Sequence, residues 1–417
     1  MGNVDLRQRL RQLGVRQGTR HVRSQPRRKG PTIEDLLPGE VVDTPHGPFF
    51  LYRETHPIDH RHGYHALGDL LAHTPQGAAL LARDDRLADI DYRRMAFVDT
   101  ETTGLAGGTG TYAFLVGVGV FDGESFTIHQ FFMRDYGEEP ALLHALGELL
   151  DGLEAVVSFN GKSFDLPLLE TRFIMSRQPP RLVDAPHLDL LSPARRFWKY
   201  RLDSCALSSL ETEILGVRRT HQDVPGWLIP SLYTDYARSG DAREMPRILY
   251  HNAQDILSLV TLAARMCDLL AGPGDDLPGE DLYGLGRLFY DLGQVKEAEA
   301  AYTQAAGTCQ TADVQEMAMR DLAYLLKRQE RRGQALSWWQ QLAEESGAVY
   351  ACEELAKHYE WHERDLVQAL AWTERGIGLV KGRPGISKRR EQLASLQHRQ
   401  GRLNRKLASE KDEHTRE

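Results

Sequence analysis

The segment Ala96-Phe-Val-Asp99-Thr-Glu101-Thr-Thr-Gly104 carries the strongest indication of the fold. In it, an apolar run ends in two carboxylates that lie two residues apart. Because side chains i and i+2 of a β-strand point to the same face, Asp99 and Glu101 are expected to converge on one spot. Converging carboxylates suit a hard divalent cation. Two acids at a strand end are also common on solvated surfaces, so the interpretation depends on the rest of the acidic set.

Two further motifs supply acids and a histidine. Asp165 follows a predicted strand that ends at Asn160, and it begins a predicted helix, where an aspartate taken alone is better explained as a plain N-cap. His251 and Asp255 lie four residues apart on a strongly helical segment, so they share one helix face. An imidazole beside a carboxylate can act as a general base because its pKa lies near neutrality. An exposed surface histidine is the alternative interpretation.

The patterns around these motifs predict an α/β fold. Three successive antiparallel strands are indicated by the apolar or alternating runs Met95–Val98, Tyr112–Phe121 and Phe126–Met133. A helix over Pro140–Leu153 and a strand over Ala155–Phe159 follow, and a further helix comes after that strand. The order β-β-β-α-β-α predicts a mixed sheet with antiparallel strands first, a parallel strand after the helix, and flanking helices.

The C-terminal part of the chain is predicted to be all helical and repetitive. Leu285-Gly, Leu322-Ala and Leu355-Ala recur at spacings near 34 residues, which is typical of tetratricopeptide (TPR) repeats; a generic helical bundle is the alternative. Such repeats present surfaces for a protein or peptide partner. The predicted segments are a flexible basic segment at 1–45, a leading region at 46–92, the α/β domain at 93–270, a linker at 271–280, TPR-like repeats at 281–378 and a charged tail at 379–417.

Composition excludes several classes of protein. The chain has 417 residues, of which 41% are hydrophobic, and a net charge of −8, which is an ordinary globular balance. Its apolar runs are too short to predict a membrane-spanning helix. Four cysteines without a C-x-x-C pair argue against a disulfide framework or a zinc site, so we expect a cytoplasmic protein. Both ends of the chain are basic, which favours either binding of a polyanion or two solvated tails.

Together the three acidic motifs resemble the DEDD superfamily of ribonuclease-H-like 3′–5′ exonucleases, over roughly residues 93–270. More narrowly, the segments ETTGLAGGTGTYAFLVG, SFNGKSFDLPLLETR, DVPGWLIP and HNAQDILSL resemble the YprB-like branch of bacterial proteins, which combines such a domain with TPR repeats. The resemblance implies a two-metal site that binds Mg²⁺ or Mn²⁺. Its implied ligands are Asp99, Glu101, Asp165 and Asp255.

The resemblance also implies a metal-dependent 3′–5′ exonuclease that acts on single-stranded DNA or RNA. The superfamily places either a Tyr four residues before the last Asp or a His five residues before it. Here His251 and Tyr250 are swapped relative to both patterns, so the identity of the base stays open between them. DNA against RNA, exonuclease against endonuclease, and the polarity also stay open. The alternative is a nucleic-acid-binding adaptor, or a TPR scaffold, that keeps the fold without turnover.

Nucleic-acid contacts are predicted at two places outside the acidic set. The stretch from residue 195 to residue 201 alternates cations with aromatic side chains, a pattern that can pair with phosphates and stack on bases. A packed aromatic pair with solvated arginines is the alternative there. Lys162, between Asn160 and Asp165, is a candidate phosphate contact or simply an exposed lysine. The candidate nucleic-acid contacts are Arg195, Arg196, Trp198, Lys199 and Lys162.

Overall fold

The computed structural model describes residues 30–104, 110–181, 184–272, 274, 276–382 and 387–414. The basic segment at 1–29 and the glycine run at 105–109 lie outside these residues, so what was expected of them stays a prediction. The chain forms two compact units. The first contains the described residues up to Leu190 together with Leu210–Arg265, and the second contains Leu191–Ser209 together with the described residues from Met266 onward.

A seven-stranded mixed sheet lies at the centre of the first unit. The strands of the chain are β1 (Glu40–Thr44), β2 (Gly47–Pro57), β3 (Arg61–His62), β4 (His65–Ala66), β5 (Met95–Thr102), β6 (Ala113–Asp122), β7 (Ser125–Phe132), β8 (Ala155–Ser158) and β9 (His187–Asp189). The sheet order is β1-β2-β7-β6-β5-β8-β9, and β3 pairs with β4 separately. Pairing is antiparallel from β1 to β5 and parallel from β5 to β9. The predicted mixed sheet is therefore confirmed.

The sheet also contains strands that the sequence did not assign to it. β1 and β2 come from residues 40–57, ahead of the predicted domain start at residue 93, and β2 pairs with β7 along eight positions. β5 is buried on both faces over Met95–Val98, as expected of a strand covered by helices on both sides.

Helices account for most of the remaining described residues. They are α1 (Ile33–Leu36), α2 (Gln76–Ala82), α3 (Glu139–Leu150), α4 (Asp165–Met175), α5 (Leu191–Trp198), α6 (Leu207–Leu210), α7 (Ile229–Ser239), α8 (Met245–Ala271), α9 (Gly279–Asp291), α10 (Val295–Thr308), α11 (Ala312–Arg328), α12 (Arg332–Glu345), α13 (Val349–His358), α14 (Leu366–Gly382) and α15 (Ser387–His414). Single π-helical turns occupy Glu211–Leu215 and Tyr359–Glu363. Within the described ranges, none of the helices combines the length and apolarity that crossing a bilayer requires.

The second unit is built from consecutive helices that pack on one another, so the predicted all-helical C-terminal region is confirmed. Three helical pairs follow in sequence: α9 with α10, α11 with α12, and α13 with α14. Gly293 has a φ of 73°, which the turn between α9 and α10 requires and glycine adopts without strain. That these pairs are TPR units stays a prediction. The predicted charged tail contains the long helix α15, which packs on α14.

Two glycines let α8 approach the sheet closely. Gly117 and Gly119 lie on β6, and Gly117 is paired with Asp99 on β5. A Cβ atom at Gly117 would lie 2.2 Å from Oδ1 of Asn252, and one at Gly119 would lie 2.7 Å from a methyl carbon of Ile256. Both helix residues are fully buried. The absence of side chains at these two strand positions therefore sets the distance between α8 and the strand that carries Asp99.

This close contact predicts that Gly117→Ala destabilises the first unit. The added methyl group must displace Asn252 or Ile256, and overpacking of a buried site costs about 1–3 kcal/mol. We expect a lower urea midpoint for the full-length variant and faster hydrogen–deuterium exchange in peptides from residues 245–264. Gly152→Ala, at an exposed position beside no packed side chain, is the control and should change neither. Unchanged exchange in α8 would contradict the proposed contact.

Candidate active site

Three separate elements bring the four predicted acids together. Asp99 and Glu101 lie on β5, Asp165 is the first residue of α4, and Asp255 lies on α8. β5, β8 and β9 are parallel neighbours, so their carboxyl ends share one edge of the sheet. At this edge the charges of Asp255 and Asp165 act on Asp99, as the shift in its pKa shows. The acids predicted from three distant motifs thus form one cluster.

The cluster holds more negative charge than its surroundings readily accept. Burial raises the pKa of Asp99 well above its usual range, and the charges of Asp255 and Asp165 raise it further. Burial, then the charge of Asp99, likewise raises the pKa of Glu101. Burial raises the pKa of Asp165 to about 6, although a hydrogen bond from Thr100 opposes this shift. Without a bound cation, the cluster therefore retains protons that isolated carboxyl groups would have released.

A buried amide network fixes the orientation of Asp99. Nδ2 of Asn252 donates to Oδ2 of Asp99 at 2.8 Å. Oδ1 of Asn252 accepts from Nε2 of Gln130 at 2.8 Å, and Gln130 also donates to the carbonyl of Leu249 at 2.7 Å. Because Asn252 and Gln130 are both fully buried, the amide group of each side chain is held in one orientation. The network links β7, α8 and β5 through a single carboxylate.

Arg219 supplies the positive charge nearest to the cluster. Its guanidinium donates to the carboxylate of Asp255 and to both oxygens of Glu211. Glu211 is itself buried and accepts from the Ser258 hydroxyl at 2.6 Å. This anchoring holds the guanidinium against Asp255. Nothing in the sequence separates Arg219 from its neighbour Arg218, so the sequence did not identify it.

A second carboxylate outside the predicted set orients His251. Nδ1 of His251 lies 2.7 Å from Oδ1 of Asp223 and 3.0 Å from a terminal nitrogen of Arg219. One ring nitrogen cannot make both hydrogen bonds, since the first requires a proton on Nδ1 and the second requires a lone pair. We assign the proton to Nδ1, because the contact with Asp223 is shorter and joins a donor to an anion.

With this tautomer, the lone pair of Nε2 faces the acidic cluster. Nε2 lies 3.6 Å from Oδ2 of Asp255 and 3.9 Å from Oε1 of Glu101. The hydroxyl of Tyr250 lies 3.3 Å from that of Thr220 instead. Of the two candidate bases, His251 is therefore the one placed against the carboxylates. Asp223 stands in the segment DVPGWLIP, but its pairing with His251 depends on a fold contact that sequence spacing does not predict.

Asp189 shapes the turn that presents Asp165. Its carboxylate accepts from the backbone N–H groups of Asn160 at 2.8 Å and Lys162 at 3.1 Å. Asn160 has a φ of 65°, a left-handed conformation that asparagine tolerates better than most residues. The side chain of Lys162 is exposed and lines a cavity of about 230 Å³ together with Arg181 and Phe173. Lys162 is thus available for a contact with a ligand beside α4.

The stretch from residue 195 to residue 201 does not form the predicted stacking surface. Trp198 is only 1% exposed and Phe197 is fully buried, so neither ring can receive a base. Arg195 and Lys199 are exposed, and Arg196 is half-buried. The prediction for Trp198 is wrong because the apolar face of α5 packs into the second unit, where the carbonyl groups of this helix lie against Gly284 of α9.

The donor chemistry of the cluster fits a hard divalent cation. All four acids offer oxygen ligands, which Mg²⁺ and Mn²⁺ prefer, and the raised pKa values of Asp99 and Glu101 indicate uncompensated negative charge. Among the residues described, however, no three acidic, histidine or cysteine side chains are grouped closely enough to hold an ion as they stand. The carboxylates of Asp99, Asp165 and Asp255 each accept from a different side chain, and Arg219 would have to leave Asp255 for an ion to take its place.

Comparison with known proteins places this arrangement in context. The sequence pattern of the RNase H superfamily matches residues 96–267, which include all four acids. A relative from Bacillus subtilis (strain 168), the uncharacterized protein YprB, is 31% identical over 337 residues, which make up 79% of this chain and 80% of the relative.

The raised pKa of Asp165 predicts a pH-dependent loss of stability without metal. Between the ordinary value of 3.8 and about 6, the unfolded chain releases a proton that the folded carboxyl retains, so the free energy of unfolding falls as pH rises through this window. Asp165→Asn removes this titration. In EDTA, thermal unfolding should show the variant to be more stable than the wild type near pH 7, by roughly 1–3 kcal/mol, with a smaller difference near pH 4.5.

The control for this experiment is Asp122→Asn, which changes an exposed carboxyl group at the end of β6. Its stability should follow that of the wild type at both pH values. A variant Asp165→Asn that is less stable than the wild type near pH 7 would show that burial of this carboxyl group carries no net cost.

Proposed function

The chain belongs to the YprB family and carries an RNase H superfamily domain, and we propose that this domain is a divalent-metal-dependent 3′–5′ exonuclease. Its substrate is single-stranded nucleic acid, and it hydrolyses phosphodiester bonds. The observation that carries the proposal is the convergence of four carboxyl groups on one sheet edge, with an imidazole nitrogen 3.6 Å and 3.9 Å from two of them.

Asp99, Glu101, Asp165 and Asp255 are the proposed ligands of Mg²⁺ or Mn²⁺. When bound, such ions stabilise the charge that develops on the phosphate and on the leaving oxygen. The chain keeps the four carboxyl groups within one partly buried cluster, where such ions would bind. The protons retained on Asp99, Glu101 and Asp165 and the guanidinium of Arg219 offset the repulsion in the absence of cations, and cation binding would release those protons.

His251 is the proposed general base. Asp223 holds its Nδ1 proton, so the lone pair of Nε2 is free to accept a proton from the attacking water. As that proton arrives, the carboxylate of Asp223 stabilises the positive charge of the imidazolium, in the manner of other aspartate–histidine pairs. Tyr250 is the weaker candidate because its hydroxyl contacts Thr220.

The surroundings of His251 support a single-stranded substrate. A Cβ atom on Gly226 would lie 3.8 Å from Nε2 of His251, so a ligand can approach the imidazole over this glycine. The next residue, Trp227, has 72% of its surface exposed. An exposed indole beside the base offers a face on which an unpaired base can stack. The exposed side chain of Lys162 is the proposed phosphate contact.

A non-catalytic adaptor is the second candidate function. It is favoured by the position of Arg219, which already neutralises Asp255 and is anchored by buried Glu211. In an adaptor this ion pair would persist, and nucleic acid would bind without turnover. In either case we propose that the helical pairs of the second unit hold a binding partner.

Cleavage assays separate these two functions. We expect the wild type, with Mn²⁺ or Mg²⁺, to shorten end-labelled single-stranded DNA or RNA stepwise from the 3′ end. Asp99→Asn should lower the rate by about 10² or more, the scale of losing a contact made in the transition state. Mn²⁺ should also raise the melting temperature of the wild type by mass action, and raise that of the variant less.

Asp122→Asn, purified in the same way, is the control for contaminating nucleases and should retain full activity. Equal activity in Asp99→Asn would contradict the proposed site. Internal products would indicate an endonuclease at the same site. Binding without cleavage in the wild type would favour the adaptor.

The pairing of Asp223 with His251 predicts a separate kinetic effect. Asp223→Asn can no longer stabilise the imidazolium, so kcat should fall about tenfold to a hundredfold, less than the loss of the base itself, while KM changes little. The pH–rate profile should shift as well, which a purely structural defect would not cause. Asp241→Asn, a half-buried aspartate in the loop before α8, is the control. An unchanged pH profile in Asp223→Asn would exclude His251 as the base.

A further inference from the structure

We propose that the second unit binds single-stranded nucleic acid at Trp361, on a surface independent of the acidic cluster. This surface consists of the indole of Trp361 and the arginines Arg332, Arg364 and Arg405 around it, and we refer to it as the Trp361 platform. The proposal rests on the proposed function only in the class of ligand, since a nuclease and an adaptor would both use such a platform. It also identifies the partner of the helical pairs as nucleic acid.

Trp361 has the exposure and support that base stacking requires. It lies in the π-helical turn Tyr359–Glu363, and 54% of its surface is exposed. The guanidinium carbon of Arg399 lies 5.5 Å from the centroid of its ring. Arg399 is itself held by Glu360 at 2.9 Å. One side of the indole is thus backed by an anchored cation, and much of the ring remains open to a ligand.

The cations that surround the neighbouring Glu360 leave an excess of positive charge beside the indole. Its side chain is fully buried and receives three cations, Arg399, Arg402 and Lys406, all from α15. One carboxylate balances only one of these three charges. Nε of Arg402 is in addition a buried donor without an acceptor in the described part of the chain. Within the part of the chain that the structure describes, α15 therefore brings more positive charge to this place than Glu360 balances.

Trp361 lines two cavities that both carry net positive charge. A cavity of about 140 Å³ is lined by Trp361, by Arg332 and by the apolar side chains of Leu336 and Trp339. Its two lysines, Lys327 and Lys357, share the single carboxylate of Glu354. This cavity is therefore partly apolar, and its lining carries more positive than negative charge.

The second cavity that Trp361 lines is a wider groove of about 590 Å³. Its cations are Arg364, Arg402, Arg405 and Lys406, against the two acids Glu360 and Glu410. Across the described residues, Arg332, Arg364 and Arg405 have no ion-pair or hydrogen-bond partner for their side chains. Glu363 is an exposed acid nearby, paired with His358 at 3.2 Å.

This arrangement matches a nucleotide better than an acidic peptide. In a single strand, each base lies between two phosphates, so an aromatic ring that lines two cavities with cations in each offers a partner for every part of the repeating unit. An acidic side chain of a peptide could pair with the cations of one cavity, but it has no group that would stack on the indole. Arginine also suits phosphate, because its planar donors can contact two oxygens.

The test measures binding in EDTA, where no metal-dependent turnover occurs. The probes are fluorescein-labelled dT20 and U20, and fluorescence anisotropy is recorded with the full chain over a series of salt concentrations. Trp361→Ala should weaken binding by about tenfold, within the range that loss of one stacking contact produces. Trp361→Phe, which keeps a smaller aromatic ring, should recover part of that loss and should exclude misfolding as the cause.

A triple variant tests the cations of the platform. Substituting Arg332, Arg364 and Arg405 by Gln should reduce the slope of log affinity against log salt by about 2, since each lost phosphate contact on a single strand contributes about 0.7. A control variant removes the same charge elsewhere through Arg93→Gln, Arg243→Gln and Lys296→Gln, all at exposed positions. Val367→Ala, which truncates an exposed apolar side chain of the same unit, is the control for Trp361→Ala.

Unchanged affinity and salt slope in the Trp361 and arginine variants would overturn the proposal. So would binding of a labelled Glu/Asp-rich peptide that depends on Trp361 while binding of the oligonucleotides does not, since this result would assign the platform to an acidic protein. Asp122→Asn, which changes an exposed carboxyl group of the first unit, is measured in parallel and should bind as the wild type does. A chain that binds through Trp361 but does not cleave would retain this proposal and lose the proposed exonuclease.

Discussion

Mutual repulsion among partly buried carboxyl groups is the physical constraint that the structure of the first unit has to accommodate. Four acids lie at one sheet edge, and water is too scarce there to screen them from one another. Two features reduce this repulsion. One is the guanidinium of Arg219, which Glu211 anchors, and the other is the protons retained on Asp99 and Glu101. Neither feature removes the repulsion completely, because one Arg cannot neutralise four carboxylates. The residual negative charge is the proposed source of an affinity for cations, so the same repulsion that weakens the fold supports the proposed chemistry.

Close packing at a single strand keeps this unfavourable arrangement in place. β6 carries glycines where α8 crosses it, so the helix lies near enough for Asn252 to reach Asp99. The same helix carries His251 one residue earlier and Asp255 three residues later. One contact between helix and sheet therefore positions the proposed base His251, the proposed ligand Asp255 and the amide of Asn252, which orients Asp99. The geometry of the site follows from backbone proximity more than from any ion pair.

The sequence predicted the parts of this site that depend on local patterns. Strand alternation around Asp99 and helical spacing around Asp255 identified both the elements and the acids, and the mixed sheet followed from their order. It could not predict Arg219 or Asp223, because their roles come from contacts with α8 that no fixed spacing encodes. Trp198 shows the opposite failure: alternating cations and aromatics indicated a binding surface, but burial is decided by α9, far along the chain. Strand β2 was missed for the same reason, since its partner β7 is about 75 residues away, and β1 joins the sheet only through β2.

The division of the chain has a consequence for how the protein is made. Residues 191–209 belong to the second unit, yet the chain returns to the first unit before the remainder of the second begins at Met266. During synthesis, Phe197 and Trp198 therefore leave the ribosome well before α9, the helix that packs on their segment, has been translated. The first unit is also incomplete until α8 emerges. The nascent chain must keep an aromatic surface uncovered through this interval, a period in which chaperones can bind it and premature termination would leave it exposed.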